Sequence, residues 1–197
     1  MRRQAFTLIE LMIVIAIIAI IAAIAIPNLL ESRISSNEAA AATSLKSGIH
    51  PAQVQFQSGG YVDGNGNGIG DFSEDLSFMA GSTGYGGTIP LSLLPAQWNA
   101  TGGDADPAAY TSATTGVPTV NGYVFSTDSV NELNFGAICA PQDEAASIGR
   151  RRFAINAGGT VYASQPSTTN ALPTFDEVFG STADFASFET AYSVYRR

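Results

Sequence analysis

Cysteine and histidine are almost absent from this chain, which has Cys139 and His50 as its single examples among 197 residues. One cysteine cannot form a disulfide within the chain. The shortage also excludes most zinc sites and most catalytic pairs of a nucleophile and a histidine, because such sites combine several side chains of these kinds. An enzyme would have to rely on carboxylates. The composition therefore predicts a protein that is not an enzyme.

Basic residues are scarce too, with 9 Lys and Arg against 17 Asp and Glu and a formal net charge of −8. A strongly acidic chain repels phosphate groups, so we do not expect nucleic acid to bind through the net field. Without a membrane segment, about 140 residues remain, which is enough for one soluble domain with its own core.

A long hydrophobic run dominates the N-terminal part of the chain. Every residue from Leu11 to Ile26 is apolar. Extended back to Phe6, the run is long enough as a helix to span the roughly 30 Å hydrocarbon core of a bilayer. Glu10 lies inside it, and an ionisable group at membrane depth costs about 3 kcal/mol unless it has a partner or a function. The sequence predicts a membrane helix whose carboxylate has a role.

The residues around this run form a motif. In order they are Arg2-Arg3-Gln4-Ala5, Phe6-Thr7-Leu8-Ile9-Glu10-Leu11, the Ile/Ala run and Pro27-Asn28. The motif resembles the prepilin signal of type IV pilins and of the pseudopilins of type II secretion. The resemblance implies that a prepilin peptidase cuts between Ala5 and Phe6 and methylates the new amino group of Phe6. The family has Gly before the cut, where this chain has Ala5.

The resemblance also gives Glu10 a role, since its carboxylate is expected to pair with the Phe6 ammonium of a neighbouring subunit during assembly. Both charges are desolvated in a filament core of Ile, Leu and Ala. Packing of neighbouring helices is then favourable only in the register that brings the carboxylate and the ammonium together. Glu10 is thus expected to set the register of assembly.

Two other interpretations of the N-terminus compete with this one. The first is a plain membrane anchor, in which Glu10 lies near the membrane surface. The second is an ordinary secretory signal, with a charged n-region and Ala23-Ile24-Ala25 as a small-x-small cleavage site. Against the second, the apolar run is longer than a usual h-region, and Pro27 follows the cut closely.

Helical periodicity continues beyond the membrane run, so residues 28–58 are predicted to be an amphipathic continuation of the helix of residues 6–27. Such a helix is about 75 Å long, whereas a domain of this size has a radius of gyration of about 14 Å. Half of it must therefore protrude. The apolar face consists of Ile34, Ala41, Leu45, Ile49, Ala52 and Phe56.

Two prolines interrupt the predicted helix. Pro27 removes one backbone donor and is expected to kink or locally melt it. Pro51 is a second candidate bend, because the carbonyl near Ser47 loses its donor.

The remaining residues, 59–197, are predicted to form a globular head. Residues 77–121 are rich in Gly, Ser, Thr, Pro and Ala and are expected to be an irregular insertion. Short strand signals between 122 and 164, with a hairpin at Asn156-Ala157-Gly158-Gly159, predict an antiparallel meander. The fold class is therefore α+β, a pilin-like roll. Aromatic residues expected to cover the sheet edge or the core are Phe175, Phe179, Phe185, Phe188, Tyr192 and Tyr195.

Residues 63–74 have the oxygen spacing of an EF-hand calcium loop, with Gly at the sixth position and Glu at the twelfth. Gly70 departs from the apolar residue expected at the eighth position, and no helix pair is evident, so a free-standing calcium site is predicted. The alternative is a metal-free loop held by Asx turns. The candidate calcium ligands are Asp63, Asn65, Asn67, Ile69, Asp71 and Glu74.

A basic cluster, Arg150-Arg151-Arg152, contrasts with the acidic remainder. A solvated strand start explains it. The alternative is a patch between subunits, and contact with DNA is a third interpretation. The acidic residues considered as its partners on a neighbouring subunit are Asp104, Asp106 and Glu177.

Together, the residues and the resemblance predict a structural subunit, a pilin, of a type IV pilus-like filament. It is expected to be a single-pass inner-membrane precursor before assembly and part of an extracellular pilus afterwards. The implied partners are copies of itself, prepilin peptidase, the assembly machinery and minor pilins. The alternatives are a pseudopilin in a periplasm-spanning pseudopilus and a membrane-tethered, calcium-dependent adhesin that does not polymerise.

Overall fold

The computed structural model describes residues 6–73, 76–81, 92–98, 119–142, 148–166, 173, 175–179, 188–189 and 191–196. Several predictions concern residues outside this part of the chain. They are those for the leader 1–5 with Ala5, for Glu74, for most of the insertion 77–121 with Asp104 and Asp106, and for Phe185.

A long helical stem begins near the N-terminus. Helix α1 spans Leu8–Thr43, a π-helical turn follows at Ser44–Ile49, and α2 spans His50–Ser58. The stem (Leu8–Ser58) has 51 residues, which corresponds to about 76 Å at the α-helical rise. By length and composition it could cross a membrane. The predicted long N-terminal helix is confirmed.

The two prolines of the stem have different effects. Helix α1 continues through Pro27, so the local melting predicted there is absent, and the kink stays a prediction. Pro51 has no N–H to offer the Ser47 carbonyl. Before it the helix widens, and the His50 N–H donates to the Leu45 carbonyl in a π-helical turn. Where the sequence predicts a bend, the structure thus has a π-turn.

In the part of the chain that the structure describes, six strands form one antiparallel sheet. They are β1 Thr119–Val120, β2 Tyr123–Asn131, β3 Asn134–Pro141, β4 Phe153–Asn156, β5 Val161–Ser164 and β6 Tyr192–Val194. Their order in the sheet is their order in the chain, as in a meander. The predicted turn at Asn156-Ala157-Gly158-Gly159 joins β4 to β5, and the Gly159 N–H donates to the Asn156 carbonyl at 2.9 Å. The predicted α+β class is confirmed.

The C-terminal aromatic residues reach the sheet from a strand and loops, although their spacing is that of a helix. Tyr192 begins β6, which pairs with β5 and adds a strand that the sequence did not indicate. The Tyr195 ring packs on Phe153 with centroids 5.1 Å apart. The Phe188 ring stacks on Tyr162 at 3.7 Å. These three residues cover the sheet edge and core, as predicted.

The core lies between the stem and one face of the sheet. Every residue of the predicted apolar face of the helix is buried. On the sheet side the same core includes Phe135, Phe153 and Cys139. Cys139 is fully buried, and burial raises the pKa of its thiol, so it packs as the small hydrophobic residue predicted. Helix α3 (Leu76–Met79) adds Leu76 and Met79 to this core, and helix α4 (Phe175–Phe179) covers the other face of the sheet.

A buried amide links the stem to the head. Gln53 is fully buried in α2. Its Nε2 donates to the Ser73 carbonyl at 2.7 Å and to Thr127 Oγ1 at 3.0 Å, and its Oε1 accepts from the Ser73 N–H at 2.9 Å. Thr127 Oγ1 donates in turn to the Gly136 carbonyl at 3.0 Å. One side chain thus joins the helix, the loop after it and the sheet with satisfied hydrogen bonds.

Alkaline pH is expected to destabilise the head through Tyr192. Burial raises the pKa of Tyr192 from 10.0 to about 12, against the opposing charge of Arg152. Between about pH 10 and pH 12 the folded chain keeps the phenol proton that the unfolded chain loses. The contribution of the protonated Tyr192 to the free energy of unfolding is therefore complete below about pH 10 and is lost as the pH rises to about 12. In urea unfolding, Tyr192→Phe should show a shallower fall in the free energy of unfolding across this interval. If the free energy of unfolding falls equally steeply with pH in the parent and in Tyr192→Phe, Tyr192 is not the group responsible.

Candidate functional site

The N-terminal half of α1 presents apolar side chains on all sides, and no described part of the chain covers it. Phe6 is 86% exposed, and the large side chains stay exposed as far as Leu30. Burial in the stem begins at Ile34. A contiguous apolar surface of this size marks contact with lipid or with other proteins.

Glu10 is the ionisable side chain within this surface, and it lies in the first turn of α1. Its Oε2 accepts from the Thr7 N–H at 2.9 Å and from Thr7 Oγ1 at 2.7 Å, while Thr7 Oγ1 accepts from the Glu10 N–H at 3.3 Å. This arrangement is a capping box. It holds the carboxylate at the N-terminal end of the helix, where the helix dipole favours negative charge.

The glycine loop (residues 63–71) is closed by its own side chains. Asp63 accepts from the N–H groups of Gly66 and Gly68, at 2.7 and 2.8 Å. Asp71 Oδ2 accepts from the Gly64 N–H at 2.7 Å. Gly66 and Gly68 have φ angles of 70° and 85°, a region that favours glycine. These bonds are of the kind expected for the metal-free alternative.

The amides of the glycine loop are engaged as well. Asn65 Oδ1 accepts from the Asn67 N–H at 3.0 Å, and Asn67 Oδ1 accepts from the Ile69 N–H at 2.7 Å. Asn67 Nδ2 donates to Glu132 Oε2 at 2.6 Å. Among the described residues, which exclude Glu74, no group of three or more His, Cys, Asp and Glu could hold a metal ion. Calcium binding stays a prediction.

The three arginines of the basic cluster differ in exposure and in hydrogen-bonding partners. Arg150 is exposed, and its backbone N–H donates to Glu38 Oε1 at 3.0 Å. Arg151 is half-buried. Arg152 is also half-buried, and its side chain forms a hydrogen bond with Tyr192 at the sheet edge. Only Arg150 and Arg151 therefore remain as candidates for a surface patch.

Comparison with known proteins identifies the N-terminal segment. Residues 1–26 match the family described as "Prokaryotic N-terminal methylation motif". The N-terminus is of the prepilin type. Over 57 residues the chain is 51% identical to the "Type IV major pilin protein PilA" of Myxococcus xanthus (strain DK1622), which covers 29% of this chain and 26% of that pilin. The match thus spans about a quarter of the length of this curated relative. No solved structure matches the chain.

The prepilin-type N-terminus coincides with the exposed apolar helix, so the predicted resemblance is confirmed for this segment. The roles predicted for Phe6 and Glu10 remain predictions. Sequence reasoning missed Thr7, although Thr7-Leu8-Ile9-Glu10 has the Thr-x-x-Glu spacing of a capping box. This spacing could have indicated that the helix begins at Leu8, but the hydrophobic run extends across the start of the helix and gives no boundary there.

The predicted calcium site is expected to be weak, with binding at about millimolar concentration, because it has three formal carboxylates and flexible glycines. Calorimetry on the chain without residues 1–30 should give heat on calcium addition, and Asp63→Asn should reduce it. Absence of heat from the parent at millimolar calcium would remove the prediction. The Asx turns then explain the loop.

Proposed function

We propose that this protein is the structural subunit, a pilin, of a type IV pilus-like surface filament. It is made as a single-pass inner-membrane precursor, cleaved and N-methylated at Phe6 by prepilin peptidase, and polymerised through its stem. One observation carries the proposal: from Leu8 to Ile26 every residue of the helix except the carboxylate Glu10 is apolar, and the large side chains are exposed on all sides. Such a surface needs lipid before assembly and other stems after it.

Glu10 gives the assembly its register. After cleavage, the Phe6 amine carries a positive charge beside an apolar run. When stems pack together both charges lose water, and an unpaired one is strongly penalised. Packing therefore favours the register in which Glu10 meets the Phe6 ammonium of a neighbour. Before that, Thr7 hydrogen-bonds the carboxylate within its own chain.

The partners follow from this assembly. They are copies of the same chain in a helical homopolymer, the inner membrane before assembly, prepilin peptidase, the pilus assembly machinery and minor pilins. Nucleic acid is not among them, since the chain has a formal net charge of −8.

A pseudopilin of a type II secretion system is the alternative, because the same N-terminus and stem serve both kinds of filament. The single cysteine, Cys139, favours it, because many type IV pilins close the head with a disulfide, which one cysteine cannot form. The matched relative, a type IV major pilin, favours the pilin. A membrane-tethered, calcium-dependent adhesin that does not polymerise is the third candidate.

Mass spectrometry of the N-terminal peptide from protein sheared off the cell surface tests the proposal. We expect a peptide that begins at methylated Phe6. A start at Ile26 would indicate ordinary secretion, and an intact Met1 would indicate a simple tether. A processed Phe6 start found only in the cell envelope, with none in the sheared fraction, would favour the pseudopilin.

A further inference from the structure

Acidic and basic residues are segregated along the chain. Between Lys46 and Arg150 there is no Lys or Arg, whereas the same segment has ten Asp and Glu residues. The acidic side chains are therefore concentrated in this middle segment, and the basic side chains lie outside it. Where they lie on the head is decided by the fold.

The end of the head nearest the exposed apolar helix carries arginines. Asn37 Nδ2 donates to the Ile148 carbonyl at 3.0 Å, and the Arg150 N–H donates to Glu38 Oε1 at 3.0 Å. These bonds fix the start of the basic cluster against α1, where the stem enters the head. Arg150 is exposed and Arg151 is half-buried. We call Arg150 and Arg151 the basal arginines.

The opposite end of the head is acidic. Gln57, in the last turn of α2, donates to the Glu132 carbonyl, and Glu132 Oε2 accepts from Asn67 at 2.6 Å. The glycine loop follows α2 directly, which places Asp63 and Asp71 at the same end. We call Asp63, Asp71 and Glu132 the apical acids.

The two ends are far apart along the stem. From Glu38 to Gln57 a helix rises about 28 Å. Strand β2 covers the same path, because Tyr123 at its start donates to the Arg151 carbonyl at 3.2 Å, and Glu132 directly follows its end. Exposed charges at this separation lie well beyond the Debye length of about 8 Å at physiological salt. The basal arginines and apical acids of one chain therefore do not neutralise each other, and at the basal end the Glu38 carboxylate offsets only part of the charge of the two arginines.

We propose that the basal arginines of one subunit dock on the apical acids of the next, in a head-to-tail contact between copies of this chain. The inference rests on the proposed filament. Complementary patches at opposite ends of one molecule form a heterologous contact, which builds an open assembly rather than a closed dimer. The reverse orientation places like charges together, so the same patches also fix the polarity of the incoming subunit.

Introduced cysteines test this contact without changing its charges. Leu133 is 68% exposed beside Glu132, and Gln142 is exposed at the end of β3 that pairs with Tyr123. Full-length chains with both Leu133→Cys and Gln142→Cys are assembled in cells, sheared and treated with a short bismaleimide. We expect a ladder of dimers, trimers and larger species on a denaturing gel. Buried Cys139 should not react.

The controls separate this inference from the filament itself. Each single variant, and Leu133→Cys combined with Ser193→Cys on β6, should stay monomeric. Filaments without a ladder would overturn the head-to-tail contact while leaving the filament intact. An equal ladder from the Ser193 pair would also overturn it. If the parent chain gives no sheared filament, both the proposed function and this inference fail.

Charge reversal gives a second measurement. Arg150→Glu with Arg151→Glu should lower the yield of sheared filament several-fold, and adding Glu132→Lys should restore part of it. Arg196→Glu reverses another exposed arginine and should leave the yield unchanged. The inference would be overturned if, at physiological salt, Arg150→Glu with Arg151→Glu left the yield of sheared filament unchanged. It would also be overturned if Arg196→Glu lowered the yield equally.

Discussion

Replacing Glu10 with Ala is expected to abolish the filament and to leave the protein in the membrane. The variant still has an apolar helix long enough to span the bilayer, so insertion and cleavage before Phe6 should continue. Without the carboxylate, the Phe6 ammonium has no partner when stems pack, and an unpaired buried charge costs several kcal/mol. The measurement is the amount of protein in the sheared fraction against the membrane fraction.

Three variants make this result specific. Ile13→Ala truncates another exposed residue of the same helix and should retain the filament. Thr7→Ala removes the capping box at a cost of about 1 kcal/mol but keeps the carboxylate, so assembly should persist. Glu10→Gln keeps the size of the side chain without its charge and should fail like Glu10→Ala. Undiminished assembly of Glu10→Ala would refute the pairing mechanism, and an unaffected surface protein without filaments would indicate a tether.

The second large effect is expected at Gln53, whose replacement by Leu should lower the free energy of unfolding by about 3 kcal/mol. Leu fills a similar volume, but it leaves the buried N–H and carbonyl of Ser73 without the partner that Gln53 supplies. Each hydrogen bond lost from a buried group costs about 1 kcal/mol, so the loss of all the hydrogen bonds of Gln53 gives about 3 kcal/mol. Thr127 Oγ1 also loses a donor, although its bond to the Gly136 carbonyl remains.

Gln55→Leu is the matched control, since Gln55 lies in the same helix and is exposed. Its effect should stay within about 0.5 kcal/mol. The fluorescence of Trp98, the single tryptophan, reports unfolding because this side chain is buried with its ring 4.8 Å from that of Phe125. Equal urea midpoints for Gln53→Leu and Gln55→Leu would show that the buried amide does not stabilise the head.

Much of this architecture could be predicted from local patterns. The apolar run, its carboxylate and the helical face from Ile34 to Phe56 are properties of neighbouring residues, and so is the hairpin turn after Asn156. Helical periodicity and turn chemistry act over a few residues, which is why these predictions agree with the structure. The prepilin-type N-terminus is likewise a continuous motif.

The sequence by itself determined the prepilin-type N-terminus, the long stem and the α+β class. Only the tertiary structure decided the details that join distant residues. Among these are the hydrogen bond of Gln53 to Thr127 in β2, the pairing of β6 with β5, and the separation of Arg152 from the basal arginines. Their cause is the meeting of segments up to 74 residues apart in the chain. Such contacts leave no periodic signal in a single sequence, because their energy comes from burial and pairing after the chain has folded.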